Sequence, residues 1–187
     1  YIIYIIYIIY IIYIIYIINN NKESFIKIVL TIFPVISLSL MFIFILINYI
    51  VDIYAKKTRL LSIYFMRYGF LFMLGLTSLW ASIAHIFLSK ETSKSIGWKT
   101  NGFETEIGIV ALFVLGLISS FNNISSGFKL ATIIITSIFL LFAAINHIKD
   151  AIVNKNYSTN NIGTIMIHDI GTPIILITSY IMIYILK

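Results

Sequence analysis

The chain has 187 residues, of which 60% are hydrophobic and 11% are charged, against roughly 45–50% and 25% in soluble domains. This composition excludes a water-soluble globular protein and predicts an integral membrane protein. The net charge of +6 comes from residues in short loops, so the expected partner is the lipid bilayer and not nucleic acid. The absence of cysteine excludes disulfides, thiolate metal sites and thiol catalysis.

The first 18 residues are the triplet Tyr-Ile-Ile repeated six times. On a helix each triplet advances by about 300°, so the tyrosines spiral around the whole surface and define no packing face. We predict that residues 1–24 form a low-complexity tract and polar linker outside the fold. An extra spanning helix or an assembly segment is the alternative. The fold itself is predicted to occupy residues 25–187.

Five apolar stretches follow, and together they predict an all-α, polytopic bundle of about five transmembrane helices. A bilayer core of about 30 Å needs around 20 helical residues, and each span must be helical because lipid offers its backbone no hydrogen bonds. The third stretch is short for a span. Pro34 and Pro173 lie inside spans, where proline should kink or loosen the helix. The stretches run approximately over 25–51, 62–88, 106–121, 130–148 and 163–186.

Five spans divide the loops between two sides of the membrane. Side Y receives residues 52–61 and the turn 122–129, and side X receives residues 89–105 and 149–162. Lys and Arg are split almost evenly between the two sides. The basic cluster at residues 56–59 favours a cytoplasmic side Y under the positive-inside rule.

The same topology brings four ionisable residues from four helices to side X. His85 closes the second span, Glu106 opens the third, His147 closes the fourth, and Asp169 lies in the first turns of the fifth. Asp169 is the deepest and has no basic residue nearby in the sequence. Ionisable groups inside membranes are costly and commonly functional, so we predict a shared site that binds a cation, a proton or a small polar ligand.

Helical spacing supports an inward position for these residues. Small residues at this spacing let membrane helices approach closely. Three stripes carry the candidates: Ser78, Ala81, Ser82 and His85; Thr136, Leu140, Ala143 and His147; and Asp169, Thr172, Pro173 and Leu176.

Two other interpretations stay open. The candidates lie near span ends, where water lowers their cost, so they can instead tie helices together in a structural or accessory subunit. Imidazole and carboxylate also ligate metals, and two histidines from different helices can ligate haem, which would make the protein a subunit of a membrane-embedded redox enzyme. The sequence has no phosphate loop, no nucleophile elbow and no HExxH motif, so it favours a role other than catalysis.

The polar interval before the third span contains a predicted helix cap and a predicted anchor. Asn101 and Glu104 have the spacing of a capping box, with Asn101 as the N-cap and Glu104 reaching back to it. Glu104 and Glu106 lie about 200° apart on a helix, so we assign Glu106 to the site. Trp98 is predicted to anchor at the membrane interface.

This interval also carries a family resemblance. The segments Ile96-Gly-Trp98 and Asn101-Gly-Phe103-Glu104-x-Glu106-x-Gly108 resemble the IGW…SPFQ-x-E-x-G signature of a family of small multi-pass bacterial and archaeal membrane proteins of unknown function. The resemblance covers about residues 25–187 and departs at the Ser-Pro pair, here Asn101-Gly102. It implies about five spans, a prokaryotic cell membrane and no particular activity. His168 has no counterpart in it and is left outside the predicted site.

Overall fold

The computed structural model describes residues 22–98 and 108–186. These ranges contain helices and no strand. Four helical segments are long and apolar enough to cross a membrane, namely Thr31–Tyr54, Leu61–Phe87, Ser126–Val153 and Thr159–Tyr184, and a shorter apolar helix covers Ile109–Ser119. The predicted all-α, polytopic membrane fold is confirmed. Residues 1–21 lie outside the described ranges, so the separation of the Tyr-Ile-Ile tract from the fold stays a prediction.

The first span is α1 and the second is a composite of α2, a π-helical segment and α3. Helix α4 follows α3, the short apolar helix α5 lies where the sequence predicted a third span, α6 is the third of the four long apolar segments, and α7 and α8 make up the fourth. Their bounds are α1 Lys22–Tyr54, α2 Leu61–Tyr68, π-segment Gly69–Leu76, α3 Thr77–Phe87, α4 Ser89–Ile96, α5 Gly108–Ser119, α6 Ser126–Val153, α7 Thr159–Ile162 and α8 Ile165–Tyr184.

Helix α6 has most of its large apolar residues on the outside. Its buried face carries mainly small and polar residues together with Ile133 and Leu140, whereas five large apolar side chains on the opposite face are between 49% and 64% exposed. A monomeric soluble protein rarely exposes so continuous an apolar surface, but a helix bordered by lipid does. The buried set includes Thr132, Thr136, Ser137, Ala144 and His147; the exposed set includes Ile134, Ile135, Ile138, Phe142 and Ile145.

The middle of the bundle is a close crossing of α5 over the π-segment. A Cβ atom added to Gly116 would lie 2.7 Å from the Gly75 nitrogen and 2.8 Å from the Phe70 carbonyl oxygen. Only glycine permits this approach of two backbones. Phe70, Leu74 and Leu112 are buried in the cluster around the crossing. The sequence predicted a continuous α-helix here, and the π-segment replaces two turns of it.

Both prolines lie inside long helices, Pro34 in α1 and Pro173 in α8. Proline has no N–H group, so the carbonyl four residues earlier loses its helical donor. For Pro173 that carbonyl belongs to Asp169. Pro173 therefore removes one helical hydrogen bond of α8 at Asp169, the residue predicted to lie deepest in the membrane.

On side Y, a small polar cluster closes the α1–α2 connection. The Tyr64 hydroxyl donates to Asp52 Oδ2, and Arg59 Nε lies 3.4 Å from the same oxygen. These partners tie the end of α1 to the start of α2.

On side X, residues 89–96 form α4, where the sequence analysis predicted a loop over 89–105. The segment is amphipathic: Thr92, Ser93 and Ile96 are buried, and Lys90 and Lys94 are exposed. The helix ends at Gly97 in the left-handed conformation with φ of 85°. The Trp98 N–H then donates to the Ser93 carbonyl, which completes a Schellman motif and fixes the position of Trp98.

Candidate functional site

A cavity of about 380 Å³ lies at the side-X end of the bundle. Helices α1, α3, α4, α6 and α8 all contribute to its wall, which is apolar over most of its surface. The ionisable side chains that line it are His85, His147, His168 and Asp169, and the aromatic ones include Trp80, Trp98, Phe139 and Phe142. Three of the four predicted site residues therefore border one cavity, and the fourth, Glu106, lies outside the described residues.

Asp169 of α8 supplies the carboxylate of the cavity, and its side chain is only 4% exposed. Its Oδ1 lies 3.0 Å from Nδ1 of His168. Its Oδ2 lies 3.9 Å from Nε2 of His147, beyond hydrogen-bond distance. Within the described ranges, this buried oxygen has no hydrogen-bond partner.

His147 of α6 is oriented by Asn161 of α7. His147 Nδ1 lies 2.8 Å from Asn161 Oδ1, and the Asn161 amide nitrogen donates to the carbonyls of His147 and Asn156 at 3.3 and 2.8 Å. Because these two bonds fix the amide orientation, Oδ1 is an acceptor and His147 Nδ1 carries a proton. In the neutral ring, Nε2 is then a second acceptor that faces the Asp169 carboxylate.

His168 is the site residue that the sequence analysis missed. It is 5% exposed, and donation from its Nδ1 to Asp169 leaves Nε2 as an acceptor in the neutral ring. Nε2 is buried without a hydrogen bond to the described part of the chain. Its position beside Asp169 inside an apolar span was the available signal, but the family resemblance gave no reason to include it.

Trp98 covers His147 and is held there by Asp150. The two rings stack with centroids 5.2 Å apart and planes at 23°, and Trp98 Nε1 donates to Asp150 Oδ2 at 3.1 Å. Asp150 also accepts from Asn154 and Asn156, both at 2.6 Å. Trp98, predicted as an interfacial anchor, is thus part of the cavity wall, and contact with lipid head groups stays a prediction.

Asn156 and Ser158 connect the two side-X segments. The Asn156 amide and the Ser158 hydroxyl each donate to the Ile96 carbonyl at 2.7 Å. The 154–158 connection therefore holds the end of α4 against α6. The predicted cap residues Asn101 and Glu104 lie outside the described ranges.

The described part of the donor set, which lacks Glu106, does not have the arrangement of a metal centre. Among the residues that the structure describes, no group of three or more His, Asp or Glu side chains is placed to hold a metal ion. Both ring nitrogens of His147 already face protein groups, Nδ1 toward Asn161 and Nε2 toward Asp169. A haem iron would have to displace one of them.

Comparison with known proteins gives one match. The model of a family described as "Family of unknown function (DUF6790)" matches residues 31–186, which include the five apolar helices and every described residue of the cavity. Comparison with curated proteins and with solved structures finds no match. The resemblance to a family of unknown function is confirmed at this level, and the short signature and the prokaryotic origin stay predictions.

Proposed function

We propose that this chain, which belongs to the DUF6790 family of unknown function, is an integral membrane protein that binds a small polar ligand, a cation or a proton in the side-X cavity. Asp169 is the central ligand-binding residue, with His147 and His168 beside it. His85 is assigned to the cavity wall. Glu106, predicted to open the third span on the same side, is assigned to the same site.

The observation that carries this proposal is the buried Asp169 Oδ2, which has no hydrogen bond to the described residues and lies 3.9 Å from His147 Nε2, an acceptor in the neutral ring. A buried carboxylate without compensating donors costs free energy, and in a membrane span that cost is on the order of a few kcal/mol. Among the described residues, donors surround the carboxylates of Asp52 and Asp150, whereas Asp169 receives one imidazole N–H. A bound proton, cation or donor group would remove this deficit.

The other two interpretations gain less support. A metal- or haem-dependent redox subunit would need a converging ligand set, and the described histidines and Asp169 do not supply one. A purely structural role explains Asp150 well, because three hydrogen-bond donors satisfy its carboxylate. It does not account for Asp169.

The setting of the site is part of the proposal. The bilayer is the partner of the exposed apolar faces, in the cell membrane of a prokaryote, and nucleic acid is not a partner. The five-helix domain is proposed to occupy residues 25–187, with residues 22–24 as the N-terminal extension of α1 and the preceding tract outside the domain. Association with a second copy or with another membrane protein is left open.

The absence of cysteine from the chain makes the proposal directly testable. Ala143→Cys places a thiol in the cavity wall, and Ile145→Cys places one on the lipid-facing surface of the same helix, where the native side chain is 54% exposed. A water-soluble cationic methanethiosulfonate is applied to each variant in liposomes. Modification of Ala143→Cys and not of Ile145→Cys is expected, because only a hydrated cavity admits the reagent and ionises the thiol.

The role of the Asp169 charge is measured in the same system. In the Ala143→Cys background, Asp169→Asn should slow the cationic reagent several-fold and leave a neutral methanethiosulfonate unaffected. Equal inertness of Ala143→Cys and Ile145→Cys would refute a ligand-accessible cavity.

A further inference from the structure

We propose that the ligand of this cavity is a small primary ammonium ion that carries a hydrogen-bond acceptor at its other end. This inference rests on the proposed binding function and names the ligand class. It follows from which polar atoms of the cavity wall lack a partner among the described residues.

The first group consists of acceptors on residues that line the cavity. The group comprises Asp169 Oδ2, His147 Nε2 and His168 Nε2. In each neutral ring the proton is on Nδ1, which donates to an oxygen, so Nε2 is an acceptor. No Lys or Arg is among the described lining residues, so the protein side chains described here supply no cation. The first group therefore calls for a cation with several N–H donors.

The separation of the two opposed acceptors fits such a donor. Asp169 Oδ2 and His147 Nε2 are 3.9 Å apart. An ammonium nitrogen about 2.9 Å from each can donate one hydrogen to the carboxylate oxygen and a second hydrogen to the imidazole nitrogen. The apex angle of this triangle is about 85°, so each N–H bond of a tetrahedral ammonium bends by only about 12° from its acceptor, within the range of hydrogen-bond geometry. A quaternary ammonium has no N–H and cannot make these bonds.

The second group consists of two donors. Trp80 Nε1 and Asn160 Nδ2 are buried and unpartnered in the described part of the chain. Both side chains contact α1: the Trp80 ring stacks on Phe33 at 5.0 Å, and Asn160 Oδ1 accepts from Thr31, which leaves its amide hydrogens available. A hydroxyl or carbonyl on the ligand would accept from these two groups.

The cavity that both groups line has room for a short carbon chain. Its volume of about 380 Å³ lies at the small end of the range of about 300–1,000 Å³ for small-molecule sites. Its wall is mainly apolar, with the buried side chains of Ile96, Ile109 and Leu140 among the lining residues. Trp98 and Trp80 add ring surfaces that attract cations. A bare metal ion would leave most of this space unfilled, and the Asp169 carboxylate opposes an anion.

The test uses 4-aminobutan-1-ol as the probe and thermal unfolding of the detergent-purified full chain as the readout. Butan-1-ol lacks the ammonium and n-butylamine lacks the acceptor. The amino alcohol should raise the Tm by at least about 2 °C, n-butylamine should raise it less, and butan-1-ol and tetramethylammonium should not raise it. Asp169→Asn should abolish the shift, and Asp52→Asn, a carboxylate removed from side Y, should retain it.

Three results would overturn the ligand class. They are a shift with butan-1-ol as large as that with the amino alcohol, a shift that survives Asp169→Asn, and no shift with either amine. If any of them occurs while Ala143→Cys still reacts with the cationic reagent, the ammonium inference falls and the binding cavity stands. If Ala143→Cys is also inert, both fall.

Discussion

Two carboxylates inside the spans, Asp52 on side Y and Asp169 on side X, have different surroundings. The Asp52 side chain is 14% exposed and has both an Arg59 guanidinium and a Tyr64 hydroxyl. The Asp169 side chain is 4% exposed and faces two imidazoles, one of which presents an acceptor. The more deeply buried carboxylate thus has the weaker set of protein partners.

Under the proposed function, the difference is that between a carboxylate that stabilises the fold and one that binds a ligand. Evolution of a structural contact adds donors until the buried oxygens are satisfied, as at Asp52 and at Asp150. Asp169 stands beside a cavity, and its helix is weakened at its own carbonyl by Pro173. We interpret the deficit at Asp169 as a binding capacity retained at the expense of stability.

The largest effect on the free energy of unfolding is expected at Gly116, where α5 crosses the π-segment. Gly116→Ala would put a Cβ atom 2.7 Å from backbone, where neither partner can move independently, and should cost about 3 kcal/mol. Gly171→Ala, in α8, is the matched control because its Cβ meets nothing within 4 Å. The unfolding free energies of both variants are measured in mixed micelles by titration with dodecyl sulfate. Equal stability of the two variants would contradict the crossing.

The next effect is expected at Asp150. Asp150→Ala removes the acceptor of Trp98, Asn154 and Asn156. Hydrogen bonds to charged groups contribute about 1.5–3 kcal/mol each, but water can replace part of these, so a loss of about 1–2 kcal/mol is expected. Trp98 should also lose its stacking on His147, which its fluorescence emission reports. An unchanged emission spectrum would show that Asp150 does not position Trp98.

A smaller effect is expected at Gly97. Gly97→Ala puts a side chain at φ of 85° and a Cβ atom 2.8 Å from the Asn156 amide, with an expected loss of about 1 kcal/mol. Gly97→Asn is the comparison for the backbone strain, because asparagine tolerates the left-handed region, although its larger side chain also meets Asn156. Thermal unfolding followed by circular dichroism measures both. An alanine variant as stable as wild type would contradict the cap.

The spans and the convergence on side X were predictable because both follow from strong local signals. Long apolar stretches in lipid must be helical, and alternating directions bring His85, His147 and Asp169 to one end. The small-residue stripes at Ser78 and Thr136 gave the inward faces, and both residues are buried.

The remaining features depend on contacts between distant segments. Asn161 orients His147 from another helix, and Asp150 positions Trp98 across 52 residues of chain, so no local pattern encodes either. The π-segment depends on how closely α5 approaches Gly75. Helix α4 was read as a loop because it is short and polar, and its stability comes from packing of Thr92 and Ile96 on the bundle.

The most direct test of the account compares Asp169→Asn with Asp52→Asn, two isosteric substitutions that each remove one carboxylate charge from a span. Unfolding free energies are measured in mixed micelles without added ligand. Asp52→Asn should lose about 1 kcal/mol with its Arg59 pair and the weakened Tyr64 bond. Asp169→Asn should lose nothing and can gain up to about 1 kcal/mol, because a buried carboxylate with a single hydrogen-bond donor becomes a neutral amide whose oxygen still accepts from His168. A loss at Asp169→Asn equal to or larger than that at Asp52→Asn would make Asp169 a structural tie and contradict the account.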